Sequence, residues 1–205
     1  MHFLRIIPLL AISLSGLLCA CSNDSSGDTK SNDQETTTDI PANDSNINDS
    51  ARLALIEKLI ETEQYNTALH HANQLLKKNP DNPAFLFIKA DMLERMSDTI
   101  NAIAFYKKAS AEAGNFLQAD MKLLNLYTES RHPETIKLTD SLLTRTDTEK
   151  YQSDILLMKG IYYTKKGLLK QAENIFSFII TNNYSYLDAY IEKGLLYYDQ
   201  QRYTE

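Results

Sequence analysis

Ala68 and Ala102 stand 34 residues apart, and so do Gly160 and Gly194. Each lies in a stretch whose apolar side chains recur every three or four positions, the period of an α-helix. A spacing of this length, sustained along a chain, marks one supersecondary unit stacked on copies of itself. Each unit then carries an apolar face that only its neighbours can cover. The chain after residue 50 is thereby confined to an all-α solenoid of antiparallel helix pairs. Such a stack predicts an extended surface for a partner and no catalytic pocket.

The first residues, MHFLRIIPLLAISLSGLLCAC, stand outside the repeat. Arg5 precedes an apolar run from Ile6 to Leu18. The run is short of the roughly 20 residues a bilayer span needs, and it matches the core of a secretory signal peptide. Its end, Leu18-Cys19-Ala20-Cys21, resembles the bacterial lipobox. That resemblance implies removal of residues 1–20 as a lipoprotein signal peptide. It also implies acylation of Cys21, by palmitate or similar chains, on its thiol and new amino group. One chain anchors only marginally at about 0.8 kcal/mol per buried methylene, whereas two or three hold a protein to a membrane stably. The only two cysteines of the chain lie here, so the folded part has no disulfide and no thiolate metal site. The localisation expected is a membrane-anchored lipoprotein outside the cytoplasm. Ser22 after the cysteine resembles the signal for the outer membrane, in its periplasmic leaflet or at the cell surface.

Residues 21–50 read as an acidic linker. Ser, Asn, Asp and Thr dominate, and Ile40 and Ile47 are the only large apolar residues after Cys21. Such a composition cannot offset its ordering entropy, which predicts disorder. Seven acidic residues stand against Lys30, so the segment carries the −6 of the whole chain. With Arg5 in the leader, residues 51–205 are left near neutrality at −1. A nucleic-acid binder needs a basic face, and none is present. A flexible segment of this length spans about 30 Å, enough to hold a domain off a lipid surface.

The first unit supplies Tyr65, Ala68, Ala72, Leu75 and Pro80 at positions 17, 20, 24, 27 and 32 of the period. The second supplies Ala90, Leu93, Ala102, Tyr106, Ala109 and Gly114 at positions 8, 11, 20, 24, 27 and 32. The third, near residues 117–147, is degenerate, with Leu123, Leu124, Tyr127, Thr135, Ile136, Leu142 and Leu143. The fourth has Gly160, Tyr163, Gly167, Ala172, Phe176 and Ile179, and a fifth begins with Tyr190, Gly194 and Tyr197. This pattern resembles the tetratricopeptide repeat over residues 51–205. The resemblance implies a right-handed solenoid of about four and a half repeats. In such a unit a small residue at 8 faces one at 20, and a large one at 24 fills the gap to the next pair. Gly or Pro at 32 ends the second helix. The last helix is apolar on several faces, which makes it a poor cap and suggests a domain truncated at its C-terminus.

In that family the first helix of each pair lines the concave face. Position 5 reads Leu53, Phe87, Met121, Leu157 and Ile191, and position 9 reads Glu57, Asp91, Asn125, Ile161 and Leu195. These rows predict a groove with an apolar spine, acidic beside the early units and aliphatic beside the later ones. The partner expected is an envelope protein offering a helix or an extended segment. The residues that grip a C-terminal carboxylate in cytosolic chaperone-binding relatives are absent from these rows. No spacing suggests a metal site, a cofactor, a small-molecule substrate or a catalytic constellation, so no enzyme is expected. His70 and His71 are adjacent and cannot face one point, and His132 lies in a turn. The function expected is a scaffold or adaptor in a cell-envelope complex. Two alternatives stay open: assembly of outer-membrane proteins or pili, and an accessory in glycan capture or to an enzyme whose catalytic part lies beyond Glu205.

Overall fold

A left-handed backbone residue recurs along the chain: Glu63, Ser97, Arg131, Gly167 and Gln201 all have φ between 56° and 75°. The intervals are 34, 34, 36 and 34 residues, so the period read from small side chains returns as a period of backbone geometry. At the first four sites the next residue's N–H donates to a carbonyl five residues earlier: Gln64 to Leu59, Asp98 to Leu93, His132 to Tyr127 and Leu168 to Tyr163, all at 2.8–2.9 Å. This closure satisfies carbonyls that a helix end leaves orphaned and turns the chain into the next helix.

The computed structural model describes residues 48–114 and 116–201. The segment expected to be a signal peptide (1–20), Cys21 and the expected linker up to residue 47 lie outside the described residues, as do 202–205. Within them the order is α1 (Asp49–Glu61), α2 (Tyr65–Lys78), α3 (Pro83–Arg95), α4 (Thr99–Ala113), α5 (Leu117–Glu129) and α6 (Glu134–Leu143). A 3-10 helix (Thr146–Tyr151) follows, then α7 (Gln152–Lys165), α8 (Leu169–Asn182) and α9 (Leu187–Asp199). No strand occurs among the described residues. The first helix begins two residues before the boundary expected at Ala51. The Asn48 side chain accepts from the Ala51 N–H at 2.8 Å and caps it, and Asp49 sits where the helix dipole favours a carboxylate. Asn82 caps α3 in the same way, with Pro83 at its first position.

Four apolar clusters follow one another. Ile56, Ala68, Leu75 and Met92 tie α1 to α3, and Leu86, Ala102, Tyr106 and Leu123 tie α3 to α5. Leu124, Leu142 and Ile155 tie α5 to α7, and Leu157, Phe176, Ala189 and Leu196 tie α7 to α9. Small residues allow close approach where the period requires it. A Cβ on Gly160 would stand 2.3 Å from Cε1 of Phe176, whose ring is fully buried.

The third unit departs from the others. In units one, two and four the buried Ala of the second helix bonds back four residues, as Ala102 N–H does to Asp98. In unit three Thr135 N–H bonds back only three, to His132, ahead of Pro133. The tighter start slips the helix by one residue. Thr135, Thr139 and Leu142 then bury where Ala102, Tyr106 and Ala109 do in unit two. Thr139 replaces an aromatic ring, and its hydroxyl is satisfied by donating to the Thr135 carbonyl. The unit is two residues longer than its neighbours: one residue is lost before the second helix, and three more lie between Leu142 and Leu157, in the 3-10 junction. There Thr148 is buried and donates to the carbonyls of Leu142 and Arg145.

Candidate protein-binding face

The two rows predicted to line a groove part company. Position 5 is a packing row. Leu53 packs into the α1–α3 cluster, and Met121 into the α5–α7 cluster. Phe87 is half-buried between the rings of Tyr106 and Phe116, with centroids 5.4 and 5.3 Å away. Leu157 is 6% exposed in the core beside Phe176. Ile191 is 44% exposed, and no second helix covers it among the described residues. The expected apolar spine is corrected at Leu157, which is buried and unavailable to a ligand; Leu53, Phe87 and Met121 are half-buried in the packing and Ile191 is exposed.

Position 9 remains on the surface formed by the successive first helices. Glu57 is exposed, Asp91, Asn125 and Ile161 are half-buried, and Leu195 is exposed. The rest of this face is polar and ion-paired across units. Arg95 Nε donates to Asp91 at 2.8 Å. Lys122, from the next unit, donates to Asp91 at 3.2 Å and to Glu94 at 3.0 Å. Glu94 also accepts from the Tyr106 hydroxyl at 2.7 Å. Burial first, then the Glu94 carboxylate, pushes the Tyr106 phenol well above its ordinary value. The hydrogen bond to Asp91 raises the Arg95 guanidinium further. One unit on, Lys165 of α7 donates to Glu129 of α5 at 2.8 Å. Asn125 thus sits in α5 between a four-charge cluster and a single pair. Sequence reasoning missed Lys122, Glu94 and Lys165, because each pairs with a residue 28–36 positions away.

His71 and His132 are engaged in packing and capping. His71 is buried with its Nδ1 3.0 Å from Nη1 of Arg52. His132 stacks on Tyr127 at 4.4 Å between centroids and accepts the Glu134 N–H, so it caps α6. Beside the 3-10 helix a half-open cavity of about 270 Å³ is lined by Leu143, Arg145, Thr148 and Glu149, among others. Its guanidinium is engaged: Arg145 donates to buried Asp120 and, in a fork, to Asp147. That fork holds the Asp147 carboxyl below its ordinary value. Among the described residues no three His, Cys, Asp or Glu side chains cluster as a metal site would require.

Residues 53–115 match the family model of the tetratricopeptide repeat. The fold is a tetratricopeptide-repeat solenoid. Its helix pairs are similar to those of the solved MamA protein, with a TM-score of 0.61 and 17% identity over 75% of this chain and 83% of that one. PilW, described as a widely conserved type IV pilus biogenesis factor, superposes with a TM-score of 0.61 and 17% identity over 76% and 72%. YrrB, a tetratricopeptide-repeat protein with an unusual peptide-binding site, gives 0.57 and 12% over 75% and 78%. At these identities the likeness is one of fold. No curated protein matches the sequence. The tetratricopeptide-repeat fold suggests a protein-protein interaction scaffold.

Proposed function

We propose that this chain is a membrane-anchored lipoprotein that binds a protein segment along its first helices and serves as an adaptor in a cell-envelope complex. The binding half of the reading is carried by the position-9 row. Glu57, Asp91, Asn125, Ile161 and Leu195 come from the first helices of five successive units, α1, α3, α5, α7 and α9, and ion pairs between units link α3, α5 and α7. A polar row favours an extended segment, whose backbone amides need partners, over an apolar helix. Asn125 supplies both a donor and an acceptor for such a backbone, and Ile161 and Leu195 supply apolar contact toward α9. The peptide-binding site of YrrB, a protein of similar fold, supports this occupant. The anchoring half rests on the lipobox-like Leu18-Cys19-Ala20-Cys21. The likeness to PilW, a type IV pilus biogenesis factor, points to pilus assembly as one setting.

Two measurements test the halves separately. Replacing Cys21 by Ser should move the protein from the membrane to the soluble fraction; retention in the membrane refutes the anchor. A photo-crosslinker at the exposed Glu57 should capture an envelope protein, and adding Asn125→Arg to that chain should abolish the capture with the helical spectrum unchanged. Undiminished capture by Asn125→Arg refutes the face.

A further inference from the structure

The stability of a repeat stack is close to a sum over its units and the interfaces between them, so a weakly packed unit can open by itself. The second helix of unit three is packed unlike the others. α6 has 10 residues, where α2, α4 and α8 have 14, 15 and 14. It packs on α5 far less extensively than α4 does on α3 or α8 on α7. Where units two and four seat the fully buried rings of Tyr106 and Phe176, it seats Thr139. Thr128, Thr135 and Thr139 are all fully buried, and their hydroxyls donate to the carbonyls of Leu124, His132 and Thr135 at 2.6–2.8 Å. Each of these bonds closes within its own helix or cap, so none ties α6 to α5. The buried apolar side chains here are Leu124, Leu142 and Ile155, the smallest of the four clusters among the described residues.

Both ends of α6 are pinned all the same. Before it, His132 stacks on Tyr127 of α5. After it, Arg145 donates at 2.6 Å to Asp120 of α5, which also accepts from Ser110 of α4. The first helices on either side are joined without α6. Lys122 of α5 reaches Asp91 and Glu94 of α3, Lys165 of α7 reaches Glu129 of α5, and Leu124 packs with Ile155 of α7.

We infer that α6 opens as a unit of its own between these two pins while α1–α5 and α7–α9 stay folded, which makes unit three a hinge in the stack. The side of the stack formed by first helices stays linked, and the side formed by second helices is released at α6. Bending there changes the curvature of the first-helix face. In the proposed adaptor that curvature adjusts to the segment lying on the face; the opening itself stands whether or not that reading does.

The test uses the full chain in mild detergent with Cys19→Ser and Cys21→Ser. Amides of residues 138–143 should exchange with deuterium roughly a hundredfold or more faster than those of 102–109 in α4 and 172–179 in α8, the scale set by losing a buried ring. Leu142→Ala should speed exchange in α6 further and leave α4 and α8 unchanged. Spin labels at Lys107→Cys and Asn174→Cys, exposed on α4 and α8, should show a spread of distances at least twice that of labels at Lys77→Cys and Lys107→Cys, which do not cross unit three. Equal exchange in α4, α6 and α8 overturns the inference. So does a Leu142→Ala effect shared by all three helices, which would mean that α6 opens only with the whole stack. A distance spread across unit three no broader than that between α2 and α4 overturns the hinge.

Discussion

Replacing Gly160 by Ala isolates the contact that sets the distance between α7 and α8. The new methyl carbon would lie 2.3 Å from Cε1 of Phe176 and 2.9 Å from Cδ1 and Cζ. Carbon atoms pack at about 3.5–4.0 Å, so the ring or the helix must give by more than an ångström. Phe176 is fully buried and cannot swing aside. Overpacking of this kind costs about 1–3 kcal/mol. Alanine in a helix interior is favoured over glycine by about 0.8–1 kcal/mol, which offsets part of the loss. The expected net effect is destabilisation on the order of 1 kcal/mol, read from the urea midpoint of the helical signal at constant slope. Two comparisons separate packing from propensity. Phe176→Leu should rescue part of the loss, giving a coupling of about 1 kcal/mol in a double-mutant cycle. Gly194→Ala, where nothing lies within 4 Å of the new Cβ, should stabilise by about 1 kcal/mol through propensity alone. If Gly160→Ala stabilises to the same extent as Gly194→Ala, the close approach argued from the structure is wrong.

The left-handed turns give a prediction of the opposite sign. Ser97→Gly should stabilise by about 1 kcal/mol, because a non-glycine residue at this φ carries that strain, and Gly167→Ala should destabilise by a similar amount; thermal unfolding reads both. Arg145→Ala would leave the buried Asp120 carboxylate with only Ser110 as a side-chain partner. A loss of about 2–3 kcal/mol in chemical denaturation is expected, and an unchanged midpoint would show that the junction does not depend on this pair. Burial raises the Tyr106 and Tyr186 phenols above their ordinary value, aided by Glu94 and Asp154. Their contribution is whole below pH ~10, where an unfolded tyrosine ionises. It falls above that pH by about 1.4 kcal/mol per unit for each tyrosine, because the unfolded chain has released protons that the folded one retains. Tyr106→Phe should flatten the alkaline slope by about one proton.

Much of the architecture was legible in the letters. The 34-residue spacing of small residues, Pro83 at a helix start and Gly114 and Gly167 at turns all report local conformation. Backbone geometry within one turn depends on the residues of that turn. The lipobox-like segment is likewise a local pattern. The third unit was visible as degenerate, but its one-residue slip was not: it arises where Pro133 meets a tight first bond, and its consequence is the burial of Thr139 in place of a ring.

Which positions of the candidate face stay exposed was only half legible. Positions 5 and 9 differ by about 40° around the helix axis, and apolar periodicity does not resolve so small a roll. Packing against the second helix turned Leu157 and Phe87 inward and left Glu57 and Asn125 outside. Lys122 and Lys165 acquired their roles only when stacking brought them to carboxylates a unit away. Repetition along the chain specified which elements form and where they end. Pairings between units required three-dimensional register, because a contact spanning some 30 residues has no signature in the neighbourhood of either partner.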